Sequence, residues 1–133
     1  MATYLLDTGL VLRHLRGQRR TVQLLRSLGK ESRLTIASVT RLEVHAGMQP
    51  EERYATQKLL ARLATLDLDR EIADRAGDLI AAGQRAGQPL GVPDAIIAAT
   101  AIGHRLTLVT LNQGDFRHIA GLSLFDMDEH TGI

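Results

Sequence analysis

Apolar residues in this chain fall into short solid runs, separated by stretches where they recur every three or four positions. Thr3-Tyr4-Leu5-Leu6 is the first run and predicts a buried strand ending at Asp7. Residues 8–15 read as a helix. Gln18–Leu28 reads as a second, with Val22, Leu24, Leu25 and Leu28 apolar and Gly29 as its C-cap. Leu34-Thr35-Ile36-Ala37 is the next strand; Ser38 is placed to N-cap a helix that carries Glu43 and runs towards Gly47. Pro50 opens a helix expected to reach about Ala64, with Tyr54, Leu59, Leu60 and Leu63 as its apolar stripe.

The second half repeats the alternation. Leu66-Asp67-Leu68 predicts a brief strand, Asp69 an N-cap, and residues 70–86 a helix broken by Gly87-Gln88-Pro89-Leu90-Gly91. Residues 93–102, Pro93 to Ile102, read as a largely buried helix stopped at Gly103. Leu106–Thr110 and Leu122–Phe125 are the last strands. Strands alternating with helices predict a three-layer α/β/α domain with a central parallel sheet of about five strands, and right-handed crossovers narrow its topology. The length, 133 residues, suits a single domain over 1–133.

Composition removes whole classes of function. There is no cysteine, so disulfides, thiolate metal sites and cysteine nucleophiles are excluded. No run is long enough to span a bilayer and no leader pattern opens the chain, so the expectation is a cytoplasmic protein without a membrane partner. Aromatics are 3% of residues, which argues against a base-stacking platform. A net charge of +1 conceals a basic first half (11 Lys/Arg against 5 Asp/Glu in residues 1–62) and an acidic second half (5 against 10), an imbalance that suits contact with nucleic acid or pairing between the halves. No GxGxxG or GxxxxGK[ST] loop offers a nucleotide cradle.

Four acidic residues, Asp7, Glu43, Asp94 and Asp115, stand where strand gives way to helix or where a helix opens. In a parallel sheet the carboxyl ends of the strands share one edge, so groups far apart in sequence can meet there. At ~5 Å and an effective dielectric of ~20, each like-charged pair costs roughly 3 kcal/mol. Either the four do not meet or a divalent cation holds them. Taken singly each has an ordinary reading: Asp7 as an N-cap, Asp94 as a first-turn acid facing the helix dipole, Glu43 on a solvated helix face, Asp115 in a turn.

Taken together and in this order, the segments Tyr4–Leu12, Ser38–Gly47, Asp94–Ala101 and Leu108–Phe116 give the chain a resemblance, over essentially its whole length, to the PIN-domain ribonucleases and specifically to VapC-type toxins of toxin–antitoxin modules. The resemblance implies an acidic pocket that binds Mg²⁺ or Mn²⁺ and cuts RNA, with tRNA or ribosomal RNA loops as typical targets. It also implies a growth-inhibiting toxin, a cognate antitoxin that covers the site, and a homodimer. Asp7, Glu43 and Asp94 fall on the family's regular acidic positions, and Asp115 on its more variable fourth. Where some relatives carry Asp, this chain has Asn112; its amide oxygen and the Thr110 hydroxyl are candidate supports.

Because Mg²⁺ usually takes only one or two carboxylates directly, Asp7 and Asp94 are the expected inner ligands, with Glu43 and Asp115 acting through water or a second ion. Hydrolysis of this kind leaves a 5′-phosphate and makes no chemical use of the 2′-hydroxyl. Arg13 and Arg16, soon after Asp7, are candidate RNA-phosphate contacts. His14, His45, His104, His118 and His130 have no metal-ligand spacing and read as structural or surface groups. Two alternatives stay open: a non-catalytic PIN-like module that binds RNA or protein, and a Mg²⁺-dependent phosphoryl-transfer domain. The second lacks the paired early acids and the late lysine its chemistry requires.

Overall fold

The computed structural model describes residues 2–127; His130 lies outside them. Its five strands are β1 (Ala2–Leu6), β2 (Arg33–Ala37), β3 (Ala64–Leu66), β4 (Thr107–Val109) and β5 (Ser123–Leu124). They form one sheet in the order β3-β2-β1-β4-β5, every pairing parallel. The helices are α1 (Thr8–Leu15), α2 (Arg19–Glu31), α3 (Ser38–Ala46), α4 (Arg53–Leu60, preceded by a 3₁₀ turn at Pro50–Glu52), α5 (Arg70–Arg85), α6 (Val92–His104) and α7 (Gln113–Phe116).

Strand periodicity explains the three layers. Successive side chains point to opposite faces, so Leu5 and Leu108 enter the core that includes α5 and α6, whereas Leu6 and Val109 enter the one that includes α1, α2 and α4. Helix α6 is Ala-rich and continuously buried from Ala95 to Ala101, as suits a helix wedged between sheet and neighbours. Ala76 and Gly83 of α5 are also buried. Sheet order reverses between β1 and β4, which places the crevice typical of open α/β sheets at their carboxyl ends.

Several boundaries differ from the sequence pattern. Helix α2 runs through Gly29 to Glu31, and Ser32 is its C-cap. Ser38 is the first residue of α3, and Ala37, which can supply no side-chain hydrogen bond, holds the cap position. Helix α4 ends at Leu60 and buries Thr56, Leu59 and Leu60, leaving Tyr54 77% exposed and outside the stripe. Strand β3 therefore begins at Ala64, two residues early, because its register is set by pairing Ala64, Thr65 and Leu66 with Thr35, Ile36 and Ala37. Helix α6 passes Gly103 and stops where Arg105 takes a left-handed conformation. Residues 113–116, expected as a turn, form one helical turn. No described helix is long and apolar enough to cross a membrane.

Candidate functional site

Asp7 is the hinge between β1 and α1. Its backbone N–H donates to the Val109 carbonyl at 3.0 Å, continuing the β1–β4 ladder by one residue. Its side chain is 4% exposed, yet each oxygen is met: the Thr8 N–H donates to Oδ1 at 2.8 Å and the Thr110 hydroxyl to Oδ2 at 2.6 Å. Thr110, fully buried, is itself held by the Asn112 N–H, 3.0 Å from its Oγ1. Asn112 thus supports the site through its backbone, and its side chain makes no cap hydrogen bond.

Glu43 reaches the same edge from α3. Its Oε1 lies 2.7 Å from Thr8 Oγ1, which in turn lies 2.9 Å from Thr40 Oγ1. A hydroxyl has one proton and an ionised carboxylate can only accept. Thr8 therefore donates to Glu43 and accepts from Thr40, giving a relay Thr40→Thr8→Glu43. Thr40 and Glu43 are three residues apart on one helix and share its inner side.

Electrostatics bring in the other two acids. Asp94, in the first turn of α6, is pushed up to about 6 by burial and then by the charges of Asp7, Asp115 and Glu43. Burial likewise raises Asp7, against the lowering effect of the Thr110 and Thr8 hydrogen bonds, and Glu43 and Asp115 raise it further. Each charged group that shifts Asp94 is an anion. Four carboxylates from positions 7, 43, 94 and 115 thus share one electrostatic neighbourhood, with Asp115 exposed at its rim.

As placed, no three acidic or histidine groups among the described residues form a ready-made cage for a metal ion. Mg²⁺ ordinarily keeps most of its waters and takes only one or two protein carboxylates directly. The donor set is all oxygen, partly desolvated and mutually repelling, and it suits a hard divalent cation.

Other residues singled out from sequence lie elsewhere. Arg13 and Arg16 are exposed at the far end of α1, six and nine residues along the chain from Asp7. His104 and His118 are exposed, while His45 is half-buried. Thr8 and Thr40 join the site without a sequence expectation behind them. The available signal is a threonine directly after Asp7 and another one helical turn before Glu43, but a hydroxyl's role depends on which carboxylate the fold brings to it.

The PIN domain family model matches residues 4–122. The chain is similar to Ribonuclease VapC10 of Mycobacterium tuberculosis, 36% identical over 112 residues that cover 84% of each chain. It is also similar to the tRNA(fMet)-specific endonuclease VapC of Salmonella typhimurium, 34% identical over 100 residues that cover 71% of this chain and 76% of that one. Among solved structures, DNA-bound VapBC from Salmonella typhimurium matches with a TM-score of 0.84 at 27% identity, over 95% of this chain and 98% of that one.

Proposed function

The chain belongs to the PIN-domain family, among its VapC ribonucleases, and from that premise we propose that it is a divalent-metal-dependent endoribonuclease, the toxin of a toxin–antitoxin pair acting in the cytoplasm. The observation that carries the metal requirement is Asp94, held among three other carboxylates and pushed up to about 6 by burial and their charge. Asp7 and Asp94 would hold Mg²⁺ or Mn²⁺. Such an ion, when bound, supplies Lewis acidity toward water and phosphate oxygen.

The chain's own residues do the rest. Thr8 and Thr110 fix both Asp7 oxygens in one orientation, and each oxygen keeps further acceptor capacity. The Thr40–Thr8 relay aims Glu43 at the crevice, where it orients water and accepts its proton as oxygen attacks phosphorus. The bond from phosphorus to the 3′-oxygen breaks, the 3′-oxygen takes up a proton, and the new end carries a 5′-phosphate. Asp115, exposed at the rim, contacts water or the incoming strand. Arg13 and Arg16 offer charge to RNA phosphates beyond the crevice.

The relative specific for tRNA(fMet) and the VapBC neighbours support a structured RNA of the tRNA class as substrate and a cognate antitoxin as partner. Leu42 and Val92, exposed on α3 and α6, offer apolar surface to a homodimer.

Cleavage of total RNA by the purified protein and by Asp7→Ala, with Mg²⁺ and with EDTA, tests the proposal once the new 5′ ends are mapped. Discrete, metal-dependent cuts bearing 5′-phosphates, absent from the variant, are expected. RNA binding without turnover by folded, antitoxin-free protein would return the chain to the non-catalytic module.

A further inference from the structure

A cluster of positive charge lies at the other edge of the sheet from the carboxylates. Helix α1 begins beside Asp7 and ends at Leu15, so His14 sits at the amino-end edge of the strands. Ser32 and Arg33 lead into β2 at that edge, and Arg62 and Leu63 lead into β3. Together with α2 these segments border an open cavity of about 480 Å³, within the size range of small-ligand sites.

Arg26, Lys30, Arg33 and Arg62 line it beside His14 and Ser32, and among the described residues no Asp or Glu does. Val22, Leu25, Leu59 and Leu63 supply an apolar wall. Two wall atoms, His14 Nδ1 and Ser32 Oγ, are buried without a hydrogen-bond partner. Buried orphans are uncommon and call for a cause. Both belong to residues that line the cavity.

We propose that this cavity is a binding site for a nucleotide phosphate, separate from the nuclease centre. Four permanent or near-permanent positive charges facing one space suit a ligand of at least two negative charges, as a phosphomonoester carries, better than a lone carboxylate. Three of the four are guanidinium forks, whose geometry matches phosphate oxygens. Ser32 and His14 would give the ligand, and gain from it, the hydrogen bonds they lack. The apolar wall would take the sugar or base. Burial and the charges of Arg62 and Arg26 lower the His14 pKa, as expected where positive groups crowd without an anion.

The test titrates inorganic phosphate, 5′-AMP and a 5′-phosphorylated RNA trinucleotide into the full chain in EDTA, read by amide NMR shifts. Shifts should cluster at Gly29, Ser32, Arg33 and Arg62 and leave Asp7 and Thr110 unmoved. Arg26 and Arg62 are exposed, so Arg26→Ala with Arg62→Ala should keep the melting temperature while weakening affinity about tenfold or more. Tighter binding of AMP than of the trinucleotide names a free nucleotide; the reverse order names an RNA 5′ end. Either upholds the site. No saturable binding, shifts confined to the carboxylate edge, affinity unchanged in the double variant, or tighter binding of a poly-glutamate peptide than of all three probes would overturn it. RNA cleavage by the double variant, assayed with Mg²⁺, reports on the nuclease centre independently.

Discussion

The Thr110 hydroxyl donates to Asp7 Oδ2 at 2.6 Å, joining residues 103 positions apart at the ends of two adjacent strands. This bond offsets part of the cost of burying Asp7. Thr110→Val keeps the shape and removes both the donor to Asp7 and the acceptor of the Asn112 N–H. The expected result is a loss of about 1–3 kcal/mol, the cost of leaving a buried acceptor unmet, seen in urea unfolding with EDTA present, and slower RNA cleavage. Thr110→Ser should restore both. A Val variant with wild-type stability and rate would show that the bond is incidental.

Thr8 tests positioning. Thr8→Val leaves Glu43 without its donor, and kcat on RNA should fall about tenfold or more, the worth of one hydrogen bond to a charged group. KM should hardly move, because Thr8 acts through Glu43 rather than on the RNA itself. Thr8→Ser should recover the rate. Equal kcat in all three proteins would remove the relay from the mechanism.

Asp94 gives a pH dependence of defined sign. Its folded pKa of about 6 lies above the ordinary 3.8, so the native state holds this proton more tightly than the unfolded chain. Stability from this group is full below pH ~4 and is lost as pH rises through about 6. In EDTA, Asp94→Asn should therefore gain about 1–2 kcal/mol at pH 7, allowing for solvent screening of a half-buried group. The gain should vanish near pH 4. Melting curves of both proteins across that range decide it; a constant difference would mean that Asp94 ionises normally.

Much of this arrangement is legible in the sequence, and the failures have a common cause. Asp7 and Asp94 stand out because a solid apolar run or a helix start adjoins each, and both signals are local. The sequence pattern displaces β3 by two residues because Leu66-Asp67-Leu68 alternates more cleanly than Ala64-Thr65-Leu66, whereas pairing with β2 chooses the latter. Tyr54 reads as core because it is apolar, yet the buried face of α4 is set by Thr56, Leu59 and Leu60. Thr8 and Thr40 give no signal because nothing near them in sequence reveals which carboxylate they meet.

Metal binding should appear as stability. An ion that binds only the folded state adds RT ln(1 + [L]/Kd), about 2.7 kcal/mol at a hundredfold excess over Kd. Mg²⁺ or Mn²⁺ should raise the melting temperature of the wild type, and Asp7→Asn and Asp94→Asn should abolish most of the rise. An equal rise in either variant would place the ion elsewhere.

Arg13 and Arg16 carry the RNA-binding expectation. Alanine at both should weaken RNA binding and flatten its dependence on salt, by about one unit of slope for each phosphate no longer neutralised. A slope equal to the wild type's would remove them from the RNA path.

The sheet order has a consequence for folding. β1 lies between β2 and β4, and its Asp7 waits for Thr110 from the far end of β4 and for Asp94 and Asp115. A fragment that stops short of Asp94, Thr110 and Asp115 has no complete acidic centre. The centre is therefore assembled only when β4 docks beside β1, so closing the sheet and completing the carboxylate cluster are one event.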